Sequence, residues 1–286
     1  MPNMADIVHR GREERAEKRR RSGSRFLAAG LGLGYIFSIL LAVGIFAFVL
    51  AYADLTRDLP SIEQLPILLN ARDGLLLQPT RLYDRTGTQI IFTFQSSAST
   101  RLYMPLDHLP QSIVDATIAA ADSGFKTHPG YVLSGLDNPD LHPTLAQKLA
   151  YDLLLFSEPP SLQRALRERI LAAQITSRFG RDQVMEWALN SANYGNNAFG
   201  IESASELYFG KPAGKLSLQE SAMLAAVSRS PSLNPFAAPK AAAQHALEVL
   251  LIMKALEMIE EAPSTPASPV TPPQAEGAGD AFVSLV

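Results

Sequence analysis

Leu109-Pro-Gln-Ser-Ile-Val-Asp-Ala-Thr-Ile-Ala-Ala-Ala-Asp-Ser-Gly-Phe-Lys-Thr-His-Pro-Gly130 decides the fold of this chain. Ile113, Val114, Thr117, Ile118 and Ala121 recur at three- and four-residue spacing, the period of one helix face. Asp122-Ser-Gly and His128-Pro-Gly then break the pattern, because glycine and proline end helices. The same period continues downstream. Leu145, Leu149, Asp152 and Leu153 keep it loosely, Leu166, Ile170, Ala173 and Gln174 more closely, and then Val184, Trp187, Ala188 and Asn193. Ser217 to Ser228 is expected as another helix with Gln219 and Glu220 in its first turn, and Ala241 to Glu261 as a last long one. Short connections between these stripes suit a compact helical domain.

Upstream the period changes. Arg81-Leu-Tyr-Asp84 and Gln89-Ile-Ile-Phe-Thr-Phe94 flank a turn at Arg85-Thr-Gly87, which predicts a β-hairpin. Residues 54–79, with prolines at 60 and 66 and no clear period, are expected to be a spacer. The tail from Ala262 carries Pro263, Pro266, Pro269, Pro272 and Pro273 among small residues, as a flexible or extended linker does. It closes on Phe282-Val-Ser-Leu-Val286, which resembles the first residues of a further element. A truncated gene product, with a domain lost beyond Val286, is therefore left open.

Phe26 to Ala53 is an uncharged apolar run preceded by Arg10, Arg12, Arg15, Lys18, Arg19, Arg20, Arg21 and Arg25. Roughly 20 apolar residues cross the hydrocarbon core, so this run is long enough to span it. Ala51-Tyr-Ala53 has the look of a signal-peptidase site, but a cleaved signal core is only ~7–15 residues long. An uncleaved single-pass anchor is expected, with the basic arm 1–25 in the cytoplasm and the rest outside. Gly30 and Gly34 form a GxxxG pair, although glycine is common in membrane helices without any pairing role. The chain has no cysteine, which excludes disulfides and thiol catalysis. Net charge is −3 with the basic excess ahead of the span, so the outer part is mildly acidic. That argues against nucleic acid as a partner; the basic arm suits anionic lipid instead.

Ala116 to Gly130 resembles the first signature of glycosyltransferase family 51, the peptidoglycan glycosyltransferases, found alone or as the N-terminal half of bifunctional penicillin-binding proteins. The family pattern is Glu-Asp-x-x-Phe-x-x-His-x-Gly. Asp122, Phe125, His128 and Gly130 match it, and Ala121 stands where the family has Glu. Arg164-Ala-Leu-Arg-Glu168 resembles the family's Arg-Lys-x-x-Glu, with Ala165 for Lys. Arg181 to Asn190 resembles Lys-x-x-Ile-Leu-Glu-x-Tyr-Leu-Asn. Tyr194-Gly195, Phe199-Gly-Ile201, Ala204, Tyr208-Phe-Gly-Lys211, Glu220-x-Ala222-x-Leu224-Ala225, Pro231, Asn234 and Pro235 keep the family's order. The hairpin residues Tyr83, Asp84, Arg85 and Gly87 resemble its entry segment. The family's Gly-Gly-Ser-Thr-Ile-Thr-Gln-Gln falls on Leu141 to Lys148, where only Thr144 and Gln147 match.

The resemblance implies a mainly α, lysozyme-like domain over residues 80–261 with a short β-hairpin, anchored by one transmembrane helix in a bacterial plasma membrane. It implies handling of lipid II and nascent glycan, possible cell-wall synthesis partners, and a divalent cation, magnesium or manganese, when active. In that chemistry a sugar hydroxyl attacks the anomeric carbon of a lipid-pyrophosphate donor with inversion. A carboxylate that takes the hydroxyl proton contributes ~10²–10⁴-fold, and cations steady the departing pyrophosphate. Ala121 replaces that base. Asp122 is adjacent, but neighbouring helix positions point about 100° apart, so it does not simply substitute. The family associates that Asp with the donor or metal region. Glu168 matches the second catalytic carboxylate. Arg164, Arg167 and Arg181 are expected phosphate contacts, with Lys126 or Lys148 as further charge, and Thr144 and Gln147 remnants of the donor site. Asp137 and Asp140 are the candidates for a replacement base.

Plainer explanations exist for these residues. Glu168 with Arg164 has the i, i+4 spacing of an ordinary ion pair. Arg181 opens a helix as many solvated charges do. His128 before Pro-Gly suits a turn, and no histidine spacing suits zinc. Ser123-Gly-Phe-Lys126 and Ser191-Ala-Asn193 fit penicilloyl-serine motifs, yet no Lys-Thr-Gly comes after them. Three functions remain open: a transferase with a relocated base, a non-catalytic lipid II- or glycan-binding pseudoenzyme, and a lytic muramidase.

Overall fold

The computed structural model describes residues 31–70, 74–77, 80–94, 102–263, 265 and 268. The basic arm 1–25, the start of the span through Gly30, and most of the tail from 264, with Phe282–Val286, lie outside the described residues. The chain divides into two units, Met1–Asp58 and Leu59–Val286.

In the first unit, α1 runs Leu31–Thr56 with mean hydropathy 2.6 and none of its most apolar window buried. At 1.5 Å rise per residue this helix is about 39 Å long, against a hydrocarbon core of about 30 Å. It is long and apolar enough to cross a membrane.

The second unit is mainly helical with one two-stranded sheet. Strands β1 (Thr80–Tyr83) and β2 (Ile90–Phe94) pair antiparallel, Thr80 opposite Phe94 and Tyr83 opposite Ile90, with an irregularity after Leu82. Asp84 closes the turn by accepting from Thr86 Oγ1 and from the backbone N–H of Thr88 and Gln89. Residues 59–70 are more than a spacer. They form the short helix α2 (Gln64–Leu68), and Leu65 and Leu69 are fully buried in the main core. Pro60 and Pro66 mask this pattern in the sequence, yet Pro66 sits in the first turn, where its missing N–H costs nothing.

Two packing groups build the rest. Helices α3 (Gln111–Ala121), α8 (Leu218–Arg229) and α9 (Pro239–Ala255) meet along small side chains: Ala116, Ala119 and Ala120 face Ala222, Ala225 and Ala226, with Val249, Leu250 and Met253 filling the third side. Alanine at a crossing lets helix axes approach closely. The other group packs α4 (Leu145–Ala150), α5 (Leu162–Phe179), α6 (Arg181–Ser191) and α7 (Ile201–Phe209) around Leu149, Leu171, Ile175, Met185, Tyr194 and Tyr208. Burial pushes the Tyr208 phenol up to about 12, with a hydrogen bond from Asn196 pulling the other way. Gly180, at φ 83°, ends α5 and starts α6 without an intervening loop. The segment before α3 is clamped to α6: Asn190 exchanges hydrogen bonds with both backbone groups of Met104, and Glu186 accepts from Leu106 N–H and Tyr103.

Helix α9 stops at Ala255, short of the expected Glu261. Glu257 adopts φ 56°, and Met258 N–H reaches back to Met253 C=O while Glu257 N–H reaches Lys254 C=O. This is a left-handed helix stop. Its residue is Glu where glycine would ordinarily advertise it.

Helix α8 carries a complete capping box: Ser217 Oγ accepts from Glu220 N–H, and Glu220 Oε2 accepts from Ser217 N–H. Lys211 Nζ lies 2.7 Å from the same Glu220 oxygen. Because α8 is the helix shared between α3 and α9, Ser217→Ala should lower stability by about 1 kcal/mol. Denaturant unfolding should show a lower midpoint with an unchanged slope.

Candidate functional site

The site forms where α3 ends and the chain crosses to α4 and α5. Asp122 is the first residue after α3, only 5% exposed, and both of its oxygens are used. Oδ2 accepts from Leu145 N–H at the start of α4, where the helix favours negative charge. Oδ1 lies 2.7 Å from His128 Nε2. His128 Nδ1 in turn accepts from Gly130 N–H, so Nε2 carries the hydrogen given to Asp122. Both nitrogens of His128 are engaged, and the ring ties the turn 123–130 to α3.

Thr144 caps α4 by accepting from Gln147 N–H, and its hydroxyl donates to Gly130 C=O at 2.7 Å. The Gln147 side chain is fully buried. Its Oε1 accepts from Val132 N–H, which fixes the amide orientation, and its Nε2 donates to Glu168 Oε1 at 2.9 Å. Glu168, on α5, is also fully buried, and its Oε2 lies 2.7 Å from His142 Nδ1. A single hydrogen-bonded run thus crosses from α3 through the 130–144 loop and α4 to α5.

The His142 ring stacks on Tyr151, centroids 4.1 Å apart and planes at 15°. Tyr151 also lies under the Arg164 guanidinium at 4.8 Å. Tyr151 begins a π-helical turn, Tyr151–Leu155, that continues α4. Such single turns insert one extra residue and re-aim the side chains beyond them.

The arginines of α5 bind loops. Arg164 is 1% exposed and donates to Glu158 C=O, Pro139 C=O and Asp140 Oδ1. Arg167 pairs with Glu158 at 3.0 Å. Arg169 donates to the carbonyls of Val132, Ser134 and Ala165. Burial holds the Arg169 guanidinium below its ordinary pKa, and the neighbouring Glu168 charge pulls it back up. Arg181 donates to the carbonyls of Phe125 and His128, bracing the turn after α3 from its far side. It lines a second, smaller hollow of about 230 Å³ together with Lys126.

A cleft of about 320 Å³ opens in front of this frame. Ala121 lines it, as do Asp140, His142, Lys148, Asp152, Ser191 and Arg229. Lys148 and Asp152 pair at 3.0 Å. The structure therefore sorts the residues singled out from sequence. Ala121 and Lys148 face the cleft. Asp122, Thr144, Gln147 and Glu168 form the buried run behind it. Arg164 and Arg167 hold its rim, and Arg181 lies on the other hollow. Asp140 lines the cleft and Asp137 does not. Sequence reasoning missed His142, Tyr151 and Arg229. For His142 there was a signal: an imidazole stands at a position where the resembled signature would put a glycine. Among the described residues no group of three or more His, Asp or Glu is arranged to hold a metal ion.

Gly130 sits at the centre of the frame with φ 102°, and a Cβ there would lie 2.1 Å from Thr176 Oγ1 and 2.7 Å from Ala172 C=O. Backbone cannot yield as a flexible side chain does. Gly130→Ala should destabilise the fold by roughly 2–4 kcal/mol, combining left-handed strain with overpacking. Thermal unfolding of the variant checks this, and a shift within error of zero would contradict the frame.

Residues 143–254 match the family model described as Transglycosylase. The chain is 32% identical over 217 residues to penicillin-binding protein 1A of Rickettsia conorii, covering 70% of this chain and 26% of that one. It is 33% identical over 220 residues to penicillin-binding protein 1A of Aquifex aeolicus, covering 71% and 29%. A solved structure of penicillin-binding protein 1A from Haemophilus influenzae covers 68% of this chain and 22% of its own at 19% identity, with a TM-score of 0.39. The chain spans about a quarter of the length of the curated relatives it matches.

Proposed function

Residues 143–254 belong to the transglycosylase family, and from that premise we propose that the chain is a membrane-anchored peptidoglycan glycosyltransferase-type protein that takes lipid II and nascent glycan into the cleft at Ala121. The observation that carries this reading is the cleft itself. It brings the position of the family's first carboxylate into one space with Lys148 and Arg229, cations suited to a pyrophosphate. Both substrates of such a reaction are lipid-linked, which suits a domain tethered by α1. The arginines and lysine before the span orient the N-terminus to the cytoplasm and the domain outward, at the plasma membrane. Cell-wall synthesis proteins are the expected partners, and nucleic acid is not.

The family's route for proton removal is closed here. The Ala121 methyl accepts no proton, and Asp122 next to it is turned into the α4 N-terminus and His128. A carboxylate so engaged is a brace and does not fit as a metal ligand. Magnesium or manganese would therefore arrive on the pyrophosphate, without a seat built by this chain. A second reading, a non-catalytic lipid II- or glycan-binding protein, draws on the arginines. Arg164, Arg167 and Arg181 are committed to carbonyl and carboxylate partners of the protein itself, so fewer cations remain for a leaving group. Release of soluble glycan fragments from polymer would instead mark a muramidase.

Binding comes before chemistry in the test. The full chain in bilayers should bind fluorescent lipid II saturably, and Arg229→Ala combined with Lys148→Ala should weaken binding by roughly 3- to 10-fold, the size expected of partly exposed charge-assisted contacts. Titration by fluorescence checks this. A wild-type chain that shows no saturable binding contradicts the proposal.

A further inference from the structure

We infer that His142 is the proton acceptor of the cleft and that Glu168 holds it to that task, an assignment that rests on the glycosyl-transfer reading above. The placement of hydrogens around Glu168 decides it. An ionised carboxylate only accepts. Its Oε1 takes the Gln147 amide N–H, whose orientation is set by Val132 N–H donating to Gln147 Oε1. Its Oε2 then takes the hydrogen on His142 Nδ1 at 2.7 Å. With Glu168 as acceptor and the imidazole neutral, the hydrogen sits on Nδ1 and Nε2 is left with a lone pair.

His142 lines the cleft, and on this assignment that lone pair points into it. The two ring nitrogens point to opposite sides of an imidazole, so a ring whose Nδ1 faces buried Glu168 directs Nε2 outward. The ring lines the cleft with Ala121, and among the described residues its hydrogen bond is made at Nδ1. Stacking on Tyr151 fixes the ring plane, and Arg164 on the same Tyr151 fixes the platform. The other histidine–carboxylate pair of the frame provides the control. His128 gives Nε2–H to Asp122 and uses Nδ1 to accept from Gly130 N–H, so it has no lone pair to offer. The carboxylates on the cleft wall carry cationic partners, Asp140 Oδ1 with Arg164 at 3.0 Å and Asp152 with Lys148 at 3.0 Å, and both remain partly open to water. Of these groups, the imidazole of His142 is the one whose orientation is set by a buried carboxylate, whereas Asp140 stands exposed at the rim.

The step balances. The acceptor hydroxyl oxygen bonds to the anomeric carbon and its proton passes to Nε2. The anomeric carbon–oxygen bond breaks, and its electron pair leaves on the lipid pyrophosphate. Ionised Glu168 steadies the imidazolium, which then returns the proton to water. Glu168 is thus a positioning residue here, orienting the base through Nδ1 as the carboxylate of a catalytic triad does. A base lost at position 121 is replaced from across the same cleft, by a side chain gained where the resembled family has glycine.

The test uses the full chain in bilayers with fluorescent lipid II and magnesium, with binding and polymer formation read separately. Wild type should polymerise. His142→Gln should lower turnover by ~10²–10⁴-fold with binding little changed. His142→Gly should be equally slow and should recover with added imidazole, graded by the basicity of substituted imidazoles, which a purely structural role would not produce. Glu168→Gln, which keeps both buried hydrogen bonds possible, should lower kcat while leaving KM nearly unchanged. Independently of any variant, ¹⁵N-histidine spectra of the wild-type chain should show opposite tautomers for His142 and His128. Wild-type turnover in His142→Gly, a wild type that binds lipid II without polymerising it, or a His142 with hydrogen on Nε2 alone would each overturn the assignment. Absence of lipid II binding by the wild type would be distinct from these. It would remove the glycosyl-transfer reading, and the assignment with it.

Discussion

The constraint on which the rest depends is a carboxyl group with no exposure to water. Glu168 sits on α5 at 0% exposure. Taking such a polar group out of water costs free energy that only well-placed hydrogen-bond partners offset. Those partners come from elsewhere in the chain: Gln147 from α4 and His142 from the loop before it. For Gln147 to face Glu168, its own oxygen must be met by Val132 N–H, and α4 must start at Thr144. For α4 to start there, Asp122 must meet Leu145 N–H and Thr144 must reach Gly130. The end of α3, the 130–144 loop and two helices are thereby held to one geometry around a single buried carboxyl group.

The same dependence explains the work of the α5 arginines. Phosphate-binding residues need free donors, and these have few. Arg164, Arg167 and Arg169 are directed at Glu158, Pro139, Asp140, Val132 and Ser134, the loops that bear on Glu168 and His142. Planar guanidinium forks suit this task, because one side chain meets two or three carbonyls in fixed directions. The cost is that cations for a ligand must come from residues on the cleft wall, where Lys148 and Arg229 lie. Rigidity behind the cleft and the cations that face it are therefore supplied by different residues.

Much of the architecture was legible in the residues. The hairpin announced itself by apolar runs around Gly87, and the helices by their period, because both signals are local. The start of α8 at Ser217, with Glu220 in its first turn, was local too. The parts that could not be read locally depend on distant partners. Leu65 and Leu69 belong to the core, yet the prolines around them suggested a spacer. Helix α9 stops where Glu257 turns left-handed, a conformation that the residue type does not favour. In the site, the motif residues Asp122, Thr144, Gln147 and Glu168 were found by resemblance, and their neighbourhood is real. Their motif, however, does not disclose that they form a buried run, nor that Arg181 points to another hollow. His142 was passed over because it lay in a stretch read for what it had lost.

The most direct measurement is an experimental structure of the full chain in a lipid bilayer, with lipid II and a short glycan acceptor bound. The account predicts the acceptor hydroxyl about 3 Å from His142 Nε2, with Nδ1 still on Glu168 and the Ala121 methyl alongside. A hydroxyl facing only Ala121 and water, or an imidazole swung away from Glu168, would contradict it.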